Sequence, residues 1–137
     1  MKQKDTQGLG MPWEAEYGYA QGLKQDGMVW LSGQVGHNAN GTVAPDMETQ
    51  MRQAYNNIRT LLTGFDMTMA DVVDEVLYVL DNELAYAARQ KLGQEVYPDP
   101  MQVPSTMIGV ARLNLPSLLV EIKVIAKKTS SSSQSAV

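Results

Sequence analysis

The sequence predicts a single α+β domain built as one mixed β-sheet with two helices packed on one of its faces. Three observations predict it. Two runs rich in aromatic and β-forming residues, Tyr17 to Lys24 and Met28 to Ser32, flank Gln25-Asp26-Gly27, whose Asp-Gly step is a hairpin signal. Apolar residues then recur at helical spacing at Met47, Met51, Ala54, Tyr55, Ile58, Leu61 and Leu62. Near the end of the chain, Val120, Ile122, Val124 and Ala126 alternate with Leu119, Glu121, Lys123, Ile125 and Lys127, which is the period of a strand.

Taken in order, the elements read β-β-α-β-α-β-β. The hairpin opens the fold. Asp46 stands where it caps the first long helix, and Gly64 is placed to close that helix in a left-handed conformation. Thr68-Met-Ala-Asp71 has capping-box spacing and predicts one helical turn ahead of a strand from Val72 to Leu80. A second helix is expected from Asn82, with Leu84, Ala87, Ala88 and Leu92 as its apolar stripe and Gly93 weakening its end. Pro98, Pro100 and Pro104 mark a loop. Strands from Ser105 to Leu113 and from Leu118 to Lys127 complete the sheet.

The domain is expected to span residues 12–128. The polar segment 1–11 and the serine-rich segment 129–137 read as flexible termini. A chain of 137 residues buries roughly two thirds of its unfolded surface around one core. With helices on one face of the sheet, the face carrying Leu119, Glu121, Lys123 and Ile125 is half apolar, so a homo-oligomer is expected from pattern alone.

Composition narrows the chemistry. The net charge of −4, from 15 acidic and 11 basic residues, gives no basic footprint for nucleic acid. No run approaches a membrane span or a signal peptide, so a cytoplasmic protein without a membrane partner is expected. Cysteine is absent, which removes disulfides and thiolate chemistry. His37 is the single histidine, so a two-histidine metal site within one chain is excluded, and the lack of cysteine removes cysteine-based zinc sites.

The segments GYAQG at 18–22, LSGQVG at 31–36, GVARLNLP at 109–116 and VEIKVIA at 120–126, in this element order, resemble the RidA (YjgF) family, once labelled L-PSP endoribonuclease. The resemblance implies a chorismate mutase-like fold and a homotrimer, with clefts between subunits that bind small carboxylate-bearing metabolites. Archetypal members hydrolyse enamines and imines to 2-keto acids and ammonia without a cofactor. There an arginine holds the substrate carboxylate, backbone groups contact its nitrogen, and a glutamate handles the water.

Carried over position by position, Tyr19 matches the aromatic of the first strand, Ser32 and Gly33 the site segment of the second, and Glu121 the catalytic glutamate. Alone, Glu121 alternating with Lys123 reads as solvated surface; the resemblance makes the catalytic role an equal reading. One position departs: the family's Pro-x-Arg-Ser-Cys-Val becomes Val103-Pro104-Ser105-Thr106-Met107-Ile108, so Ser105 stands in place of the arginine, with Met107 two residues on. Losing two charge-assisted hydrogen bonds costs roughly 3 to 6 kcal/mol of carboxylate binding. Arg112 is no substitute, because seven residues along a strand is an odd step that points it to the other face. Arg89 has two readings, an exposed helix arginine or a replacement anchor. His37 likewise reads as an idle loop residue or as a group at the cleft mouth.

An enamine or imine hydrolase with an altered substrate range is thus expected, its site formed by Glu121, Tyr19, Ser32, Gly33, Ser105, Met107 and Arg89. The alternative is a noncatalytic trimer that binds a small metabolite. Ribonuclease activity, suggested by the old label, has neither a basic patch nor a histidine pair behind it.

Overall fold

A computed structural model describes residues 4–128. Strand β1 (Asp5–Gln7) is followed by helix α1 (Pro12–Tyr17), strands β2 (Gly22–Gln25), β3 (Met28–Leu31) and β4 (Gln34–Val35), and helix α2 (Met47–Gly64). A 3-10 turn then leads into β5 (Val72–Val79), α3 (Asn82–Val96), β6 (Ser105–Gly109) and β7 (Val120–Lys127). The sheet order is β1-β2-β3-β7-β5-β6, with the short β4 also paired to β7. Only β5 and β6 run parallel; the other pairs are antiparallel. This is the mixed sheet with its two long helices on one face that the residue pattern predicts.

The hairpin forms on its Asp-Gly signal: Gln25 pairs with Met28, and Asp26 and Gly27 both take positive φ, at 55° and 79°. Asp46 caps α2 by accepting from the Thr49 N–H. Thr68 and Asp71 form the full capping box. Along β7, Val120, Ile122, Val124 and Ala126 face the helices and are buried, while Glu121, Lys123 and Ile125 face the other way.

Several expectations are corrected. Within the segment expected to be a flexible start, residues 5–7 form β1, which pairs with β2, and Met11 is buried. Segment 129–137 lies outside the described residues. Residues 12–17, the last of which was expected to begin a strand, form α1, because Pro12 sits at its first turn and Gly18 ends it at φ 87°. Gly64 is not a left-handed cap. It ends α2 in helical conformation, and an added Cβ would meet the Gln7 side chain, whose Nε2 donates to the Gly64 carbonyl at 3.0 Å. The buried stripe of α3 is Ala85, Ala88, Leu92, Gly93 and Val96, and Leu84 is exposed. Strand β6 stops at Gly109, where Val110 N–H bonds back to the Val79 carbonyl. Arg112 therefore lies in a loop, donating to the carbonyls of Leu113 and Asn114, and strand parity does not govern it.

Gln50 of α2 fastens two loops to this frame. Its Nε2 donates to the carbonyls of Ala44 and Ser117 at 2.7 and 2.8 Å, and its Oε1 accepts from Leu119 N–H at 2.8 Å. Gly36 packs so closely on it that a Cβ there would come within 2.5 Å of the Gln50 Cα. Replacing Gln50 with Leu keeps the volume but strips three backbone groups of their partners. A stability loss on the order of 3 kcal/mol is expected in urea unfolding.

Candidate functional site

Two polar clusters occupy opposite faces of the sheet. The first lies where the loop after α1 and the β3-β4 junction cross β7. Glu121 pairs in register with Val35 of β4 and Tyr78 of β5, so its side chain stands on the face away from α2 and α3. Gly33 lies directly against it: a Cβ on Gly33 would come within 2.1 Å of the Glu121 Oε2, so only glycine leaves room for the carboxylate. Burial raises the Glu121 pKa above its ordinary value, opposed by the Lys123 charge.

Ser32 is held by its own hydrogen bonds. Its Oγ donates to the Ala20 carbonyl at 2.8 Å and its N–H to the Gln21 carbonyl. Buried Gln34 donates to the Gln21 Oε1 at 2.8 Å and to the Ser32 carbonyl at 2.9 Å, and Gln21 in turn donates to Tyr19 Oη and Glu14 Oε2, each at 3.1 Å. Tyr19 lies in the loop between α1 and β2, not in a strand. Its pKa is raised by partial burial, then by the Glu14 charge and, more weakly, by the charge of Glu121. Gly33 and Tyr19 therefore lie near the Glu121 carboxylate, and Ser32, next to Gly33, turns its hydroxyl to the Ala20 carbonyl.

The second cluster lies under the helices, around Glu75. Strand alternation puts Glu75 on the same face as Leu77 and Val79, and it is fully buried. Its Oε1 accepts from the hydroxyls of Tyr55 and Tyr97 at 2.8 and 2.6 Å. Its Oε2 accepts from Arg89 Nε at 2.6 Å and from Ser105 Oγ at 2.5 Å. Four donors on one carboxylate, one of them cationic, meet the cost of burying its charge. Burial and the Glu75 charge raise the pKa of both phenols, so they stay protonated as donors. The Arg89 guanidinium also lies 5.4 Å from the centre of the Tyr97 ring and folds back over its own helix, where a Cβ on Gly93 would collide with Nη1. Gly93 is thus kept bare for Arg89, and α3 runs past it to Val96.

The expected site residues divide accordingly. Tyr19, Ser32, Gly33 and Glu121 share one face; Ser105 and Arg89 meet at Glu75 on the other, and Met107 packs against the core beside Leu77. Ser105 lies two strands across and three residues along from Glu121, roughly 14 Å away by strand geometry. Arg89 is the partly buried ion-pair partner of Glu75, which neither reading of it anticipated. His37 is buried, edge-on to Trp13 at 5.0 Å, with Nδ1 2.9 Å from the Asn38 carbonyl, so it packs a loop.

Sequence reasoning missed Glu75 and Tyr97. A signal was available for Glu75: a glutamate in phase with Leu77 and Val79 on an alternating strand is charged where its neighbours are apolar.

Comparison with known proteins bears on these clusters. The family model for Endoribonuclease L-PSP matches residues 11–128. The RutC family protein YjgH of Escherichia coli is 30% identical over 113 residues, covering 82% of this chain and 85% of that protein. The 2-iminobutanoate/2-iminopropanoate deaminase of Dermatophagoides farinae is 29% identical over 97 residues, 69% of this chain and 74% of that one. The crystal structure of Rv2704 from Mycobacterium tuberculosis, a member of the YjgF/YER057c/UK114 family, superposes with a TM-score of 0.80 at 26% identity, covering 91% of this chain and 99% of that one.

The raised pKa of Glu121 has a consequence for stability. The folded state holds the Glu121 proton to higher pH than the unfolded chain does, so this group's contribution is complete below the ordinary glutamate pKa of about 4.3 and is lost as pH rises through the folded-state value. Glu121→Gln should therefore become more stable relative to the parent as pH rises from about 4 to 8. Urea unfolding of both proteins across that range measures the difference.

Proposed function

The chain belongs to the endoribonuclease L-PSP family, the RidA/YjgF proteins, and from that membership we propose an imine or enamine hydrolase of altered substrate range, with Glu121 as the group that handles water. The observation that carries this reading is the Glu121 carboxylate, half-buried against the bare backbone of Gly33 and beside Tyr19. A carboxylate whose proton affinity is raised by burial is a better base toward water than a fully solvated one. In the proposed reaction the substrate is the protonated imine, and Glu121 accepts a proton as water oxygen bonds to the C=N carbon, giving a neutral carbinolamine. Glu121 returns that proton to the nitrogen, and as the C–N bond breaks and ammonia leaves, Glu121 takes the hydroxyl proton, leaving a carbonyl, and then releases it to solvent.

The open face of the sheet supports assembly as a homotrimer. Trp30, Ile125, Tyr78 and Ile108 share that face with Glu121, and Trp30 and Ile108 are 37% and 41% exposed in the single chain. Docking other protomers there would cover this apolar surface and bring the β6 edge of one chain toward the Glu121 cluster of another. Ligand sites between subunits would follow.

Ser105 favours a second reading, a noncatalytic trimer that binds a small metabolite. An archetypal 2-imino acid would find no guanidinium at this position, and Arg89 is already committed to Glu75.

The two readings separate in one assay. With 2-iminopropanoate and 2-iminobutanoate, the parent should turn over slowly, and Ser105→Arg should raise kcat/KM on the order of a hundredfold by adding a charged carboxylate anchor. Glu121→Ala should abolish at least about a hundredfold of any hydrolysis measured. Unchanged turnover in Glu121→Ala would leave only the binding reading. The mass in solution should be that of three chains, and a monomer at micromolar concentration would refute the intersubunit site.

A further inference from the structure

Ser105 sits at the start of the edge strand β6, exposed on its outer side, while its hydroxyl is bonded inward to the fully buried Glu75 at 2.5 Å. A serine hydroxyl has one proton to give and two lone pairs to offer. The proton is taken by Glu75, so toward solvent Ser105 presents a hydrogen-bond acceptor. It is also a polarised one, because the hydrogen bond to a carboxylate pushes electron density onto Oγ.

The charge at this point is cancelled as well. Arg89 lies against Glu75 at 2.6 Å, so the pair presents no net positive field to a ligand at Ser105. The Arg89 Nη1 is directed along α3 over Gly93, and the guanidinium packs on the Tyr97 ring. Its Nη1 thus lies over the helix while its Nε shares Glu75 Oε2 with Ser105. A carboxylate brought to Ser105 would meet lone pairs and a neutralised ion pair; an N–H donor would meet a matched acceptor.

Resting on the intersubunit ligand site proposed above, we infer that the substrate or ligand group that meets Ser105 is a neutral hydrogen-bond donor of the carboxamide class, not a carboxylate. Ser105 is then the residue that sets specificity, and Glu75 positions it by fixing the direction of its hydroxyl. The buried carboxylate inverts what the site accepts without touching the ligand.

Calorimetric titration of the full-length protein with pyruvate and with pyruvamide tests this, since the two differ only in carboxylate against carboxamide. The parent should bind pyruvamide at least about tenfold more tightly. In Ser105→Ala the preference should fall to within about threefold, the acceptor being gone. In Glu75→Gln, Arg89 loses its counter-charge and pyruvate should gain at least about tenfold. Because Ser105 is exposed, Ser105→Ala should stay folded and decides the matter alone if Glu75→Gln does not fold. Pyruvate binding as tightly as pyruvamide to the parent, or an unchanged preference in Ser105→Ala, overturns the inference and leaves the ligand site standing. Binding of neither compound at about 10 mM removes the site itself and both readings with it.

Discussion

Glu75 imposes the constraint around which much of this molecule is arranged. A carboxylate with no solvent exposure must find donors in the protein, and its four come from three elements: Tyr55 of α2, Arg89 and the adjoining Tyr97 of α3, and Ser105 of β6. Both long helices and the edge strand are therefore registered against β5 by one residue. Removing Tyr55, Tyr97 or Arg89 would leave a buried charge short of a partner, so these positions are coupled, whereas water can replace the exposed Ser105. The same requirement explains details at a distance. Gly93 is bare because the Arg89 side chain needs the space, and α3 accepts the lower helix propensity that follows.

The two faces of the sheet divide their duties on this basis. The helix-facing side is closed by apolar packing and by the Glu75 network. The opposite side leaves Trp30, Tyr78, Ile108 and Ile125 partly uncovered around Glu121. Glu121 and Glu75 thus solve the burial of a carboxylate differently. Glu75 is saturated with donors and has no capacity left for chemistry. Glu121 is half-buried beside Gly33 with its proton affinity raised, a condition suited to moving a proton.

The order of the hairpin, the two long helices and the three longer strands, and the alternation of β7, were legible because each rests on local periodicity. Val120, Ile122, Val124 and Ala126 face the core as alternation requires, and the Asp26-Gly27 turn and the Thr68-Asp71 cap form as their residue types dictate. The misreadings share one cause. The α3 stripe, the end of β6 and the setting of Tyr19 depend on which neighbour each segment meets. Leu84 fits a helical stripe on paper, yet α3 turns Ala85, Ala88 and Leu92 toward the sheet and leaves Leu84 in solvent. Tyr19 follows a six-residue helix that forms on Pro12 and ends at Gly18, a signal too short to outweigh the aromatic run beside it.

By itself the sequence determined the fold class, the hairpin and the caps, because strand period and turn chemistry are properties of adjacent residues. It also fixed that Ser105 stands where an arginine was expected. What Ser105 does there was decided only by tertiary structure. Glu75 and Arg89 are 14 residues apart, and their pairing depends on α3 crossing the sheet at the angle that brings Nε onto the carboxylate. Hydrogen-bond direction follows from that contact: the same hydroxyl would donate to a ligand if Glu75 were absent. Long-range contacts of this kind leave no local period to read.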